Sequence, residues 1–281
     1  MKEDVIKQQY FFCAASIRDI LRRYKKTHFQ DFEQLSAKIA IQLNDAHPAI
    51  AIIELVRILV DEEELTLHQA WLITCNTFSY TSHSTGTEFL EKWPVELVSK
   101  ILPRHLELIH LINYFFLEKI RRTYPADFER RLPRMSIIEV NANDQSQHIR
   151  MAYVCFLASH KVNGVSFEHT NILRQLVFHD FVDMFPQRII SITNGVSQRR
   201  WIQCANPILA EVITASLGDE EWLINLNLLS QLNGWKFDKG FIRSFLRVRF
   251  ENKLRLFEYL GSKSDLIKKT IGEFTKDYIE S

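Results

Sequence analysis

Between Ile41 and Glu54 the chain reads Ile-Gln-Leu-Asn-Asp-Ala-His-Pro-Ala-Ile-Ala-Ile-Ile-Glu, and this stretch constrains the fold more than any other. Strand-like residues from Lys38 to Ile41 run into a polar turn, and Pro48 opens a helix at a position where a missing N–H does no harm. A strand thus hands over to a helix. Asn44, Asp45 and His47 fall where the carboxyl end of a strand meets a helix N-terminus, the usual place for a ligand in an open α/β sheet. Residue types alone also allow a plainer reading, in which Asp45 caps the helix and His47 pairs with it. Caps are commoner than sites.

Composition narrows the function classes. At 281 residues the chain is long enough for one large or two modest domains, and 46% hydrophobic with 25% charged residues describes an ordinary globular protein. A formal net charge of +1 gives no reason to propose nucleic acid or an acidic membrane surface as a partner. The Met-Lys-Glu-Asp start lacks an apolar signal core, and the longest apolar runs are too short to span a bilayer. The expectation is a cytoplasmic protein. Cys13, Cys75, Cys155 and Cys204 are far apart among apolar neighbours, which predicts free, buried thiols and neither a zinc site nor a redox pair. The 8 glycines never fall in a Gly-x-Gly, so no glycine-rich phosphate loop of the nucleotide-binding kind is present.

Periodicity supplies the other elements. Val5 to Lys26 predicts an amphipathic helix ending in Arg22, Arg23, Tyr24, Lys25 and Lys26, where cations suit the macrodipole. Ala49 to Asp61 and Thr66 to Cys75 predict helices, and Thr77 to Thr81 a strand running into Ser82, His83 and Ser84. Helical patterns follow over Glu91 to Leu102 and Arg104 to Tyr124, the second with an apolar stripe of Leu106, Ile109, Ile112, Phe116 and Ile120. His105 and His110 lack the one-turn spacing of a helical metal pair, and no metal is expected. Tyr124 to Pro133 reads as a loop, Met135 to Val140 as a strand, Asn141 to Gln147 as a turn and His148 to Ser159 as a helix. Lys161 to Val165 reads as a strand and turn with Asn163 as a turn former, ahead of a helix carrying His169. Leu173 to Phe185 reads as helix and Gln187 to Thr193 as a last short strand. From Asn206 onward the chain reads as helical, over Pro207 to Leu217, Leu223 to Leu232, Phe241 to Leu260 and Ser264 to Tyr278.

Several of these segments resemble one family. Asn44-Asp45-Ala46-His47-Pro48 is similar to the Asn-Asp-x-His-Pro signature of the α-1,4-glucan (glycogen, starch, maltodextrin) phosphorylases. The likeness continues in order through Tyr10 to Lys25, Ala70 to Tyr80, Trp93 to His105, Arg134 to Glu139, Lys161 to Val165 and Thr193 to Pro207. It implies a helix-rich α/β chain, part of a GT-B glycosyltransferase fold. Residues 1–193 would form the later half of one Rossmann-like domain and 194–281 the helical beginning of the next.

The family reaction is phosphorolysis of terminal α-1,4-glucosidic bonds by orthophosphate to give glucose 1-phosphate, with pyridoxal 5'-phosphate as cofactor. The resemblance places Asp45, His47, His83 and Asn194 in the catalytic set, with His83 and Asn194 on the glucosyl unit, and Glu88 and Asn163 beside the substrate. Trp201 would line the cofactor pocket, and Arg22 and Arg23 would bind the phosphate of AMP, although a solvated helix end explains that pair equally well. Ser82, Gly86, Thr87, Phe89 and Gln198 depart from the family pattern, and Phe89 in place of alanine predicts overpacking near a close-packed pocket.

In the family the Schiff-base lysine lies beyond the point at which this sequence ends, so the match is mainly to the sugar-holding half. Three readings stay open: a section of a full phosphorylase, a truncated non-catalytic relative that binds glucan or pairs with a full-length subunit, and a helical interaction domain. Homodimers are the family habit.

Overall fold

Glu3 and Asp4 at one end and Lys25, Lys26 and His28 at the other bracket the first helix, α1 (Lys2–His28), in the order the macrodipole favours. Ile6, Cys13, Ile17, Leu21 and Tyr24 form its buried stripe. In the computed structural model, residues 2–29 and 31–263 are described, and the helix expected over Ser264 to Tyr278 lies outside them. The chain divides into two compact units, residues 1–194 and 195–281.

In the first unit the short α2 (Leu35–Lys38) precedes β1 (Ile41–Asn44). The first strand therefore begins where it was expected to end, because Lys38 closes a helix. Leu43 alone is buried in β1, while Gln42 and Asn44 face outward in a period of two, so its polar face looked like turn in the sequence. A turn through Pro48 leads into α3 (Ile50–Asp61), in which Ile50 to Val56 are all buried. α4 (Leu67–Thr77) starts from a capping box, Thr66 with Gln69, and runs straight into β2 (Phe78–Thr81).

The helix expected over Glu91 to Leu102 is instead β3 (Lys92–Pro94) followed by α5 (Val95–Ile101). α6 (Pro103–Thr123) buries Leu106, Ile109, Ile112, Phe116 and Ile120, the stripe read from spacing. The loop expected over Tyr124 to Pro133 contains α7 (Phe128–Met135), whose Phe128, Arg131 and Met135 are buried at helical intervals despite Pro133 inside it. The Arg131 guanidinium stands 4.2 Å from the Tyr124 ring centre, which ties α7 back to the end of α6.

β4 (Ile138–Val140) and β5 (Gln147–Arg150) follow, so the helix expected from His148 starts only with α8 (Met151–Leu157). β6 (Ser159–Gly164), α9 (Phe167–Ile172), a π-helical turn (Leu173–Val177), α10 (His179–Met184) and β7 (Ile189–Ser191) complete the unit. β1-β2-β6-β7 form a parallel sheet, and β3-β5-β4 a small antiparallel one. The result is a helix-rich α/β architecture. Its core includes a ring cluster in which Phe156 lies 4.8 Å from Phe181 and 4.9 Å from Phe178.

In the second unit α11 (Pro207–Leu217) is capped by Asn206 and stopped by Gly218 at φ 92°. Trp222 is fully buried against Ala210 and Ile213, and its indole N–H donates to Thr214 Oγ1 at 2.9 Å. The segment expected to be helical over Leu223 to Leu232 is 3₁₀ from Leu226 to Trp235, and α12 (Lys239–Gly261) starts from Asp238 as its cap. Cys13 and Cys155 are buried as expected, Cys75 is half-buried, and Cys204 is exposed. The exception at Cys204 follows from its place in a short π-helix, Arg199–Cys204, that buries no side chain. No helix among the described residues is long and apolar enough to cross a membrane.

Candidate functional site

Parallel pairing brings the carboxyl ends of the main strands to one edge. Asn44 lies beside Thr81, Thr81 beside Asn163, and Gly164 beside Ser191. The ladder then steps outward by one bond per strand. Asp45 N donates to Thr81 O at 2.9 Å, Ser82 N to Asn163 O at 3.0 Å and Ile192 N to Gly164 O at 3.1 Å. Each post-strand loop is therefore hung from its neighbour, and the polar side chains at these ends are brought together by the sheet.

Four linked side chains line this edge. Gln42 Nε2 donates to Thr81 Oγ1 at 2.8 Å, and Thr81 Oγ1 donates to Asn163 Oδ1 at 2.7 Å. Ser79 Oγ donates to Gln42 Oε1. His83 Nε2 lies 2.7 Å from Asn44 Oδ1, so Nε2 carries the proton and Nδ1 is left as an acceptor. Asn163 is a strand residue within β6, not the turn former expected, because its backbone pairs with β2 and β7.

Asp45 does not cap α3. Its backbone is left-handed at φ 67°, and its Oδ1 accepts from the adjacent Ala46 N at 2.7 Å, while Ala49 stands at the N-cap of α3, which has no side-chain cap. Nor does His47 pair with Asp45. Its Nδ1 stands 3.3 Å from Glu91 Oε1, which also accepts from Gln9 Nε2 at 3.0 Å. The plainer reading of the Asn-Asp-x-His turn therefore fails on both counts. Glu91, 44 residues away, is the partner that local pattern could not reveal.

The remaining expected residues are less closely tied. Glu88 is exposed in the 3₁₀ turn Thr87–Phe89, and Phe89 is 68% exposed, so it adds no volume to a packed pocket and the overpacking expected there does not occur. Asn194 is exposed three residues beyond β7. Trp201 lies in the second unit, 67% exposed. Arg22 and Arg23 both pair with Asp19 on the outer face of α1, at 2.6 and 3.0 Å. That geometry is a solvated helix surface.

His169 is the other residue that carries geometry here. Its Nδ1 accepts from Val165 N at 3.1 Å and its Nε2 lies 2.8 Å from Ser84 O, joining the β6–α9 turn to the loop after β2. Chemically the edge offers an array of neutral donors and acceptors, with the Asp45 carboxylate at a strand end and Glu88, Glu91 and Glu168 in the adjoining segments. Segments 44–49, 81–91, 163–170 and 191–194 contain no lysine or arginine. Such an array suits hydroxyl groups better than phosphate.

Comparison with known proteins agrees in kind. The family described as carbohydrate phosphorylase matches residues 2–271. The chain is 44% identical over 279 residues to glycogen phosphorylase of Saccharomyces cerevisiae, covering 98% of this chain and 30% of that protein. It is 43% identical over 266 residues to the muscle form of glycogen phosphorylase from Ovis aries and 43% over 269 residues to the liver form from Homo sapiens, covering 92% and 93% of this chain. The chain spans 30–31% of the length of these relatives. With a match over nearly its whole length, the chain belongs to the carbohydrate phosphorylase family.

Proposed function

We propose that this chain is the glucosyl-holding section of an α-1,4-glucan phosphorylase, which as a whole cleaves terminal α-1,4 bonds with orthophosphate to release glucose 1-phosphate. The observation that carries the reading is the strand-end cluster, in which Asn44, Asp45, Thr81, His83 and Asn163 meet on one edge. His83 Nδ1 and the second Asp45 carboxylate oxygen are acceptors for sugar hydroxyls, and Asn44 Nδ2 is a donor, which together recognise a hydroxyl-dense ligand. His47 is oriented by Glu91, and Glu88 and Asn194 stand beside the bound glucan.

Pyridoxal phosphate requires an amine for its Schiff base and cations for its phosphate. The strand-end segments supply neither, so they do not fit that group or orthophosphate, and both belong to other parts of the longer enzyme. The two units are then parts of the two Rossmann-like domains of a GT-B fold.

Calorimetric titration of the 281-residue chain with maltopentaose tests the sugar site. Saturable binding is expected, weakened about tenfold by His83→Ala through loss of one ligand hydrogen bond and its tether to Asn44. No heat with the intact chain, or equal affinity in the variant, rejects the reading.

A further inference from the structure

We propose that His169 is a positioning residue for the sugar site, fixing the main chain beyond His83 and so setting where the His83 ring stands; this rests on the glucan reading above. The tautomer is settled by its partners. A backbone N–H can only donate, so Nδ1 facing Val165 N at 3.1 Å is unprotonated, and a carbonyl can only accept, so Nε2 facing Ser84 O at 2.8 Å carries the hydrogen. His169 is 8% exposed and both of its ring nitrogens are satisfied by main chain.

What that ring holds is otherwise loose. Ser82 N is bonded to Asn163 O at 3.0 Å, and the next backbone bond in the loop is Phe89 N to Gly86 O at 3.3 Å. Among the described residues no backbone–backbone bond holds 83–85. His83 is thus bracketed by two ties to the β6–α9 segment, one through Ser82 to Asn163 and one through Ser84 to His169.

The His169 end of the bracket is itself rigid. Ser166 Oγ accepts from His169 N at 3.0 Å, and Thr170 Oγ1 donates to Ser166 O at 2.6 Å, so the first turn of α9 is fixed internally, two residues beyond the end of the strand that carries Asn163. Loss of the imidazole frees Ser84 and leaves His83 held by the Ser82 tie on one side and by its own ring bond to Asn44.

Two variants separate positioning from ordinary core packing. His169→Asn keeps an acceptor for Val165 N but does not reach Ser84, whereas His169→Gln keeps a donor at the distance of Nε2. Maltopentaose binding to the 281-residue chain is expected to weaken about tenfold in His169→Asn and to return to within about threefold of the original in His169→Gln. In the His83→Ala background, His169→Asn is expected to cause no further loss of affinity, since its effect passes through His83.

The His83 ring resonance in a carbon–proton NMR spectrum supplies a readout without ligand: displaced in His169→Asn, restored in His169→Gln. Equal loss in both variants, tracking their unfolding midpoints, overturns the assignment, as does an unmoved His83 resonance. If the intact chain binds no maltopentaose, the glucan reading falls, and the resonance alone still decides whether His169 positions His83.

Discussion

Replacing Glu54 with alanine is expected to destabilise the first unit by about 3–5 kcal/mol, the cost of stranding the partners of a buried charge. Glu54 is fully buried in α3 and is met from two helices. Arg57 donates from Nε and Nη2 to it, each at 2.9 Å, and His105 Nε2 of α6 lies 2.7 Å away. Arg57 also reaches Glu62 at 2.8 Å, and Glu62 takes Arg18 of α1, so one carboxylate anchors a network across three helices. Tyr10 of α1 stands edge-on to the His105 ring at 5.1 Å and closes the cage. Alanine leaves the buried His105 without its carboxylate and Arg57 with Glu62 alone. Urea unfolding at pH 7 measures the loss, and a change below about 1 kcal/mol would mean that the partners find substitutes.

The same carboxylate gives an acid limb with a definite sign. Burial alone would raise it, but hydrogen bonds from Arg57 and His105 outweigh burial and hold it down at about 2 against an ordinary 4.5. Because the folded state binds the proton more weakly, the stabilisation is complete above pH 4.5 and is lost as pH falls from there through about 2. The span corresponds to about 3 kcal/mol. Glu54→Gln removes the titrating group, so the difference in stability between the original chain and this variant is expected to shrink over that window. A constant difference would mean that another carboxylate sets the acid limb.

What could be read in advance follows from where each signal lies. Thr66 with Gln69 and the stripe from Leu106 to Ile120 are local patterns, and both emerge as the helix start and the buried face they suggested. β5 has no comparable mark. Gln147 to Arg150 is mostly polar, and it becomes a strand only because it sits between β4 and β3, the latter separated from it by residues 95–146. α7 was hidden by Pro125 ahead of it and Pro133 within it, which usually signal a break, yet Phe128, Arg131 and Met135 had enough apolar and stacking partners to hold the turn. The site shows the same division. Asn44, Asp45 and His83 could be placed at strand ends by pattern and resemblance, whereas the pairing of His47 with Glu91 and of His105 with Glu54 is tertiary, across 44 and 51 residues.

Gly164→Ala is expected to cost about 1–3 kcal/mol and to weaken glucan binding, although Gly164 presents no side chain to a ligand. A Cβ there would meet Thr170 Oγ1 at 2.5 Å, Thr170 Cα at 2.9 Å and Thr170 N at 3.0 Å. The hydroxyl could rotate away only by giving up its bond to Ser166 O, and the backbone atoms cannot rotate away at all. The first turn of α9 must therefore move outward from β6, carrying His169 with it and loosening its hold on Ser84. A close approach of strand and helix is thus what places the loop of His83. Gly195→Ala is the control, since a Cβ there meets nothing within 4 Å and is expected to change stability by under about 0.5 kcal/mol. Unfolding midpoints and maltopentaose titrations on both variants distinguish the outcomes. If Gly164→Ala lowers stability but leaves affinity intact, the β6–α9 contact supports the fold alone and does not position the sugar site.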